Sequence, residues 1–312
     1  MNNRFEGGSC PRRFHLFFAL MSTASFLDHL SHERRYSAHT VEAYGRDIGQ
    51  FSSFLLEHGG KSDIDSASSL EVRSWVMKLM KDGLSPRSVR RKLSSLRGYF
   101  RFAREAGYLD SDPTSEVDSP KMPGRLPEFV DEHRMRELFE AIDYPEGYRG
   151  VFDRTILELL YGTGIRLAEL LGIGIGDVDL REASLRVLGK RNKERIIPLS
   201  FTLVEQLGVY LEQRPDSASD SLLISEKGRP PSRSLIQRRV ASYLGKVSTQ
   251  AKKSPHVLRH TFATHLLDNG ADLNAVKEIL GHADLSATQV YTHNTIDKLK
   301  RVHAQAHPRG GS

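Results

Sequence analysis

The sequence predicts a mainly α-helical protein of two domains: an all-α N-terminal bundle, then a mostly α C-terminal domain with a small antiparallel β-sheet. Three observations predict this class. Apolar residues recur at three- and four-residue spacings along most of the chain, a single pair of short segments has strand character, and prolines cluster near the middle. A chain of 312 residues is long enough for two domains, each with its own core.

Composition excludes several classes of protein. Hydrophobic residues make up 38% and charged residues 27%, which is ordinary globular usage and excludes a disordered or fibrous chain. The single cysteine, Cys10, has no partner for an internal disulfide, which indicates a reducing cytosol and excludes a cysteine-built zinc module. No stretch approaches the roughly 20 apolar residues that a membrane span needs.

The first 21 residues form a separate segment. Arg12 and Arg13 precede an apolar run, Leu16 to Met21, that is shorter than the ~7–15 residues of a secretion-signal core. We therefore expect 1–21 to be a disordered leader and the folded chain to begin near Met21. The sequence leaves open whether translation starts at Met1 or at Met21.

Residues 22–112 are expected to form the N-terminal helical bundle. Cap residues precede each apolar stripe and glycines follow it, and Pro86 occupies a first helical position. The three clearest helices are expected from Ser37 or Thr40 to Gly60, from Ser69 to Gly83 and from Ser85 to Gly107. No segment of this half alternates with a strand period.

The second domain is expected at 128–308, after a linker at 113–127. Four prolines in those fifteen linker residues cannot sustain a helix and favour an extended connector. Strands are predicted at 184–188 and 195–199, with a turn at 189–194 between them. Helices are predicted near 131–142, 147–161, 200–212, 232–246, 255–269, 272–280, 286–292 and 294–306.

Positive charge is concentrated in two windows that contain no acid. Lys plus Arg total 45 against 39 Asp plus Glu, a net charge of +6, yet Leu84–Arg104 holds seven basic residues and Lys227–Arg259 holds nine. A solvated face normally mixes both signs, so we interpret these windows as phosphate-binding surfaces for duplex DNA. The predicted DNA-binding residues are Arg87, Arg90, Arg91, Arg97, Arg101, Arg104, Arg233, Arg238, Arg239 and Lys252.

The C-terminal domain also contains a set of groups suited to phosphoryl transfer. Ser254 and Pro255 open a helix that places His256 and Arg259 one turn apart near its N-terminus, a favourable site for a phosphate. Arg166 follows a glycine-rich turn, Gly162 to Gly164, and Glu169 can brace it from the next turn.

A nucleophile and a proton donor complete this set. Tyr291 is the candidate nucleophile, because neighbouring cations favour its phenolate, and Lys190 on the hairpin turn is the candidate acid for a leaving 5′ hydroxyl. Each of these residues alone has an ordinary structural explanation as a salt-bridge, surface or packing residue. Their joint presence in one domain indicates phosphoryl transfer on DNA.

These segments resemble the tyrosine recombinase (phage-integrase-type) family, most closely its cellular Xer branch, over about 22–308. The family pattern Arg, Lys, His-x-x-Arg, His, Tyr matches this chain at every position, and the text LRHTFATHLLDNGADLNAVKEILGHADLSATQVYTH also resembles that branch. The matching residues are Arg166, Lys190, His256, Arg259, His282 and Tyr291.

The resemblance implies a mechanism. Tyr291 attacks a scissile phosphate and forms a 3′-phosphotyrosyl link, and Arg166, Arg259 and His282 neutralise the phosphate. His256 assists proton movement at the tyrosine and Lys190 protonates the leaving oxygen. No metal and no cofactor are expected, because the ester conserves the bond energy.

The resemblance also implies the partners and the cellular role. The target is a pseudopalindromic, dif-like site in double-stranded DNA, and the role is resolution of chromosome dimers in the cytoplasm, on the nucleoid. The enzyme acts as a tetramer on two sites, alone or with a paralogue. The sequence leaves open whether a septal DNA translocase regulates it. Each subunit lends a C-terminal helix, about 294–306 with Leu299 and Val302, to a neighbour.

Three other functions stay open at this point. An integrase or invertase of a mobile element has the same chemistry, although the Xer-like C-terminus and the lack of an additional N-terminal arm-binding domain favour dimer resolution. A metal-dependent nuclease is suggested by His256 and His260 at i, i+4, but no acid occurs from Lys227 to Leu267. A purely architectural DNA-binding protein would not need all six catalytic positions.

Overall fold

The first unit of the structure is a helical bundle whose caps follow the sequence. The computed structural model describes residues 22–60, 63–122, 129–189, 193–249, 252–281 and 293–310, so the predicted leader, 1–21, lies outside the described residues. The chain divides into two compact units, Met1–Arg125 and Leu126–Ser312. The helices of the first unit are α1 (Ser22–His32), α2 (Ala38–Gly59), α3 (Ser69–Lys81) and α4 (Pro86–Glu105).

Serine side chains start three of these helices. Of the two predicted caps for α2, the structure uses Ser37, whose hydroxyl accepts from the main-chain NH of Thr40. The cap of α3 is Ser68, one residue before the predicted Ser69, because Ser68 and Glu71 form a reciprocal capping box. Ser85 caps α4 with Pro86 in the first turn, as predicted.

A buried carboxylate ties α2 to α4 inside this bundle. Asp47 is fully buried and accepts from Lys92 Nζ at 3.0 Å, from Ser95 Oγ at 2.8 Å and from Arg91 Nη2 at 2.9 Å. Around it, the apolar stripes of α1 to α4 form one core that includes Trp75. Two of the basic residues of α4, Arg91 and Lys92, are therefore paired with one acid from another helix.

The first residues of the predicted linker pack against the first unit. Thr114 and Val117 are buried, and Arg97 Nη2 donates to the carbonyl oxygen of Val117 at 2.6 Å. The linker boundaries, 113 and 127, remain predictions, since 123–128 lie outside the described residues.

The second unit is mostly helical and carries one small sheet. Its helices are α5 (Glu132–Glu140), α6 (Tyr148–Thr163), α7 (Leu167–Leu170), α8 (Phe201–Gln213), α9 (Arg233–Val247), α10 (Pro255–Asp268), α11 (Leu273–Leu280) and α12 (His293–Ala306). The short α7 was not predicted, and the predicted helix at 286–292 lies outside the described residues.

The sheet is an antiparallel meander of β1 (Val178–Asp179), β2 (Ser184–Leu188) and β3 (Glu194–Pro198). β3 begins one residue before the predicted strand, and β1 was missed because two residues carry no alternation. Gly189 NH donates to the Lys193 carbonyl oxygen at 2.8 Å and so closes the hairpin. The predicted fold class, mainly α with an all-α first unit and a small antiparallel sheet, is confirmed.

The core of the second unit forms around α6, which is buried along most of its length between α8 and α10. α12 packs on β3, α10 and α11 of its own chain, with Leu299 buried and Val302 against the same core. The part of the chain that the structure describes contains no helix with the length and apolar character required to span a membrane.

Buried imidazoles anchor α12 and the residues after it. His303 Nε2 hydrogen-bonds the carbonyl oxygen of Gly162 at 2.8 Å, and the His303 and His307 rings stack with centroids 4.9 Å apart. Phe262, His265 and Tyr161 surround the pair. Beyond it, Arg309 Nη2 contacts Glu158 Oε1 at 2.8 Å.

These histidines predict acid sensitivity of the second unit. Burial lowers the pKa of His303 below its ordinary value of 6.5 and that of His307 well below it. The unfolded chain therefore binds more protons than the folded chain below about pH 6.5. The free energy of unfolding keeps its full value above that pH and decreases progressively as the pH falls. Urea unfolding between pH 8 and 5 measures this, and the double variant His303→Gln, His307→Gln should have a shallower slope. An equal slope in the variant would contradict the assignment.

Candidate active site

Arg166 is placed by an abrupt turn at the end of α6. Gly164 ends that helix in the left-handed region, with φ +62°, and a Cβ atom there would lie 2.4 Å from Phe262 and 2.9 Å from Leu280. Only glycine fits this position without strain. The chain then turns and Arg166 becomes the first residue before α7, with its guanidinium half exposed.

Glu169 braces Arg166, as the sequence predicted. The Arg166 NH donates to Glu169 Oε2 at 2.8 Å and Arg166 Nη1 donates to Oε1 at 2.8 Å. The carboxylate therefore fixes both the main chain and the guanidinium of this arginine. Among the described residues the guanidinium is hydrogen-bonded at Nη1, which leaves its other N–H groups available to an anion in that part of the structure.

A second arginine shares the same carboxylate, and the sequence analysis did not identify it. Arg195 of β3 is buried, and its Nη1 and Nη2 contact Glu169 Oε1 and Oε2 at 3.1 and 2.8 Å. The sequence predicted it only as the first residue of the second strand. The signal that could have identified it is strand alternation, since Arg195 has the same parity as the buried Ile197.

Arg259 joins the end of α6 to the end of α11. It is buried on α10, and its Nη1 donates to the Gly164 carbonyl oxygen at 2.6 Å while Nη2 donates to the Leu280 carbonyl oxygen at 2.8 Å. Burial and then the charge of Arg166 lower the pKa of Arg259 to about 10, so it stays protonated at neutral pH. Arg166 and Arg259 are therefore brought together, as predicted.

His256 lies one turn before Arg259 at the exposed start of α10. Partial desolvation, followed by the positive charges of Arg259 and His260, lowers its pKa below 6.5. Its imidazole is therefore neutral at physiological pH and able to accept a proton.

Glu169 is the acid that balances these cations. Burial alone would raise its pKa, but the hydrogen bonds from Arg195 and from the Arg166 main chain, with the charge of Arg195, lower it below the ordinary value. Glu169 is thus ionised throughout the physiological range.

Three of the six predicted catalytic residues, Lys190, His282 and Tyr291, lie outside the described residues. The residues just before two of them are described. Gly189 precedes Lys190, and Gly281, with φ +65°, ends α11 immediately before His282. Both glycines lie against Arg195, since a Cβ atom on Gly281 would be 3.1 Å from Nη1 and one on Gly189 would be 3.4 Å from it.

The ten predicted DNA-binding residues fall into two groups. Arg91, Arg97 and Arg239 are engaged within the fold: Arg91 by Asp47, Arg97 by the carbonyl oxygen of Val117, and Arg239 by Asp153 at 3.2 Å. These partners could not be identified from the two acid-free basic stretches, because each partner comes from a distant segment of the chain. Arg91 is also half exposed despite its contact with Asp47. The other residues with exposed side chains are Arg87, Arg90, Arg101, Arg104, Arg233, Arg238 and Lys252.

Within the described ranges, no group of three or more His, Cys, Asp or Glu side chains is arranged to hold a metal ion. His256 and His260 are followed on α10 by Thr264 and not by a third ligand. The charge available to a phosphate in the described site comes from arginine.

Comparison with known proteins places the chain in a family. The sequence profile of the phage integrase family matches residues 128–298, more than half of the chain, and that of the phage integrase N-terminal SAM-like domain matches 24–107. The chain belongs to the phage integrase family of tyrosine recombinases. This confirms the predicted enzyme class, a site-specific recombinase that cleaves and rejoins DNA.

Relatives within the family carry Xer names. The recombinase is 38% identical to tyrosine recombinase XerC of Chlorobaculum parvum, over 91% of this chain and 93% of that protein. It is 38% identical to tyrosine recombinase XerD of Staphylococcus saprophyticus, over 91% of this chain and 97% of that protein.

Solved structures confirm the fold. XerH bound to a palindromic difH substrate, a post-cleavage complex, has a TM-score of 0.68 at 20% identity, over 94% of this chain and 88% of that one. The Tn1549 transposon integrase in complex with a circular-intermediate DNA has a TM-score of 0.67 at 18% identity, over 89% of this chain and 99% of that one.

The close packing at Gly164 predicts a costly substitution. Gly164→Ala should destabilise the second unit by about 2–5 kcal/mol, because about 1–2 kcal/mol of left-handed strain adds to about 1–3 kcal/mol of overpacking against Phe262. Gly228→Ala is the matched control, since Gly228 also has a positive φ, +68°, but has no atom within 4 Å of a Cβ. Urea unfolding of both variants measures the difference. Equal losses of unfolding free energy in the two variants would show that packing around Gly164 does not cause the destabilisation.

Proposed function

We propose that this recombinase cleaves double-stranded DNA through a 3′-phosphotyrosyl intermediate at Tyr291, with Arg166 and Arg259 binding the scissile phosphate. The single observation that carries the proposal is the meeting of these two arginines beside one ionised carboxylate, Glu169. The cluster retains excess positive charge, which a phosphodiester group complements.

The residues act in a defined order in this proposal. The Tyr291 oxygen attacks phosphorus, His256 accepts the phenolic proton, and the bond from phosphorus to the 5′ oxygen breaks as Lys190 donates a proton to it. Arg166, Arg259 and His282 neutralise the non-bridging oxygens while charge develops there. Attack by a 5′ hydroxyl of the partner strand reverses these steps, so the ester is conserved.

We further propose that the substrate is a pseudopalindromic, dif-like site and that the role is resolution of chromosome dimers. Support comes from the 38% identity to XerC and to XerD over nine-tenths of the chain. On this proposal the enzyme acts in the cytoplasm on the nucleoid, as a tetramer on two sites. In the tetramer α12, which packs on its own chain in this structure, docks instead on a neighbouring subunit. The enzyme works alone or with a paralogue and responds to a septal DNA translocase.

Integration or inversion of a mobile element is the second candidate function. The similarity of the fold to the Tn1549 transposon integrase favours it. Sequencing of DNA bound in the cell separates the candidates. One chromosomal site near the replication terminus supports dimer resolution, whereas sites at the ends of an element support integration.

Substitution of the nucleophile tests the chemistry. Wild-type protein incubated with a nicked suicide substrate of its site should form a covalent adduct that survives SDS, because loss of the cleaved fragment prevents religation. Tyr291→Phe should form no adduct and should bind DNA with unchanged affinity, since only the attacking oxygen is lost. Denaturing gels and fluorescence anisotropy measure the two quantities. An adduct in the Phe variant would assign the nucleophile elsewhere.

The exposed arginines of α4 predict the salt dependence of DNA binding. Arg90 and Arg101 lie three turns apart on one face, so Arg90→Ala and Arg101→Ala should each weaken binding and reduce the slope of log K against log salt by about 0.9. Lys78→Ala on α3 is the control, because Lys78 is paired with Asp82 at 2.8 Å. Anisotropy titrations between 50 and 200 mM salt measure the slopes. A wild-type slope in both arginine variants would exclude this face as the phosphate contact.

A further inference from the structure

Arg195 contacts parts of the site that come from three different elements. Its Nε donates to the Ile279 carbonyl oxygen at 2.8 Å, near the end of α11, while its two terminal nitrogens hold Glu169 of α7. At 4% exposure, the side chain is buried away from solvent. All three of its guanidinium nitrogens are engaged by groups of the protein, so its contacts are those of a residue that supports other residues.

The first connection made by Arg195 leads to Arg166. Each oxygen of Glu169 is shared: Oε1 accepts from Arg166 Nη1 and Arg195 Nη1, and Oε2 accepts from the Arg166 NH and Arg195 Nη2. Arg195 therefore fixes the plane of the carboxylate that orients Arg166. Without it, the carboxylate could rotate about its terminal torsion, which has a broad energy profile.

The second connection leads to the main chain before His282. Two arginines bind consecutive carbonyl groups at the end of α11, Arg195 at Ile279 and Arg259 at Leu280. Cations are favoured at that end of a helix, where the carbonyl dipoles point outward. Gly281 packs on the Arg195 side chain, with a constructed Cβ 3.2 Å from its Cδ and Cζ.

A third contact leads to the hairpin. Gly189, immediately before Lys190, approaches Arg195 Nη1 so closely that a constructed Cβ would lie 3.4 Å from it. The guanidinium is therefore adjacent to the main chain before Lys190 as well as to that before His282.

We propose that Arg195 is a positioning residue for strand cleavage: it holds Glu169, and through it Arg166, in register with the ends of α11 and β2 that lead to His282 and Lys190. The inference rests on the proposed function, because in this proposal Arg195 itself touches no DNA and acts only by positioning the residues to which that function assigns the chemistry. Three directional contacts from one planar group require arginine, because a lysine ammonium is a point charge on a flexible stem.

The test is Arg195→Lys in the full-length protein on a nicked suicide substrate. At saturating DNA we expect the rate of covalent adduct formation to fall about 100-fold, because misplacement by about 1 Å costs that much, while the Kd for DNA stays within about twofold. The matched control is Arg214→Lys. Arg214 also donates to main-chain carbonyl oxygens, those of Ser221 at 2.8 Å and Ser219 at 3.1 Å, but outside the site, so its rate should stay at the wild-type value.

A coupling measurement separates positioning from general stability. Arg166→Lys, Arg195→Lys and the double variant form a cycle. If Arg195 acts through Arg166, the double variant should be about as slow as the slower single variant, and not slower by the product of the two effects. A purely structural role would give that product and would also lower the melting temperature in proportion.

Each outcome is decisive. If wild-type protein forms no adduct, the proposed function fails, whatever the variants do. If wild-type protein cleaves and folded Arg195→Lys cleaves equally fast at saturating DNA, the positioning role is overturned. Arg195→Gln, which leaves no unpaired charge in the interior, is the second variant if the lysine variant does not fold, and a wild-type rate in it also overturns the role.

Discussion

The site depends on one buried carboxylate. Arg166, Arg195 and Arg259, the arginine cluster, would repel one another if placed together with no acid. Burial, and after it the charge of Arg166, already lowers the pKa of Arg259. Glu169 accepts four hydrogen bonds from two of these residues and remains ionised. It makes the cluster tolerable in the free protein, yet one acid cannot neutralise three guanidinium groups. On the proposed function the remaining positive charge meets the scissile phosphate, and because the charge is fixed before binding, little reorganisation is needed during reaction.

A structural feature could be predicted from the sequence where the residues that determine it lie close together in the chain. Ser37, Ser85 with Pro86, and Gly164 act within a few residues of themselves, so helix limits and the turn before Arg166 could be predicted from the chain alone. The contact of Asp47 with Lys92 spans 45 residues and that of Glu169 with Arg195 spans 26. No spacing rule covers such distances, and for this reason Arg195 was predicted only as a strand residue and three arginines were assigned to DNA without their internal partners.

This difference changes the interpretation of the basic windows. A run that lacks acids in sequence can face acids in space, as Asp47 and Asp153 show for Arg91 and Arg239. The charge that α4 presents to solvent is therefore smaller than its composition suggests and is concentrated on the arginines that the fold leaves exposed. Since the affinity of DNA for a protein rises with the number of phosphates neutralised, these internal pairs limit non-specific binding.

Buried ion pairs rarely add stability, because removing both charges from water costs about as much as their attraction returns. Apolar side chains in place of Glu169 and Arg195 would fill the same space, but their packing contacts are not directional. The pair instead specifies angles: one carboxylate plane for Arg166, and one carbonyl group, that of Ile279, for the end of α11. Asp47 uses the same kind of contact to align α2 with α4. In both units, then, buried charge fixes the geometry of the elements that it joins, and the apolar cores around each pair supply the stability that the charges do not.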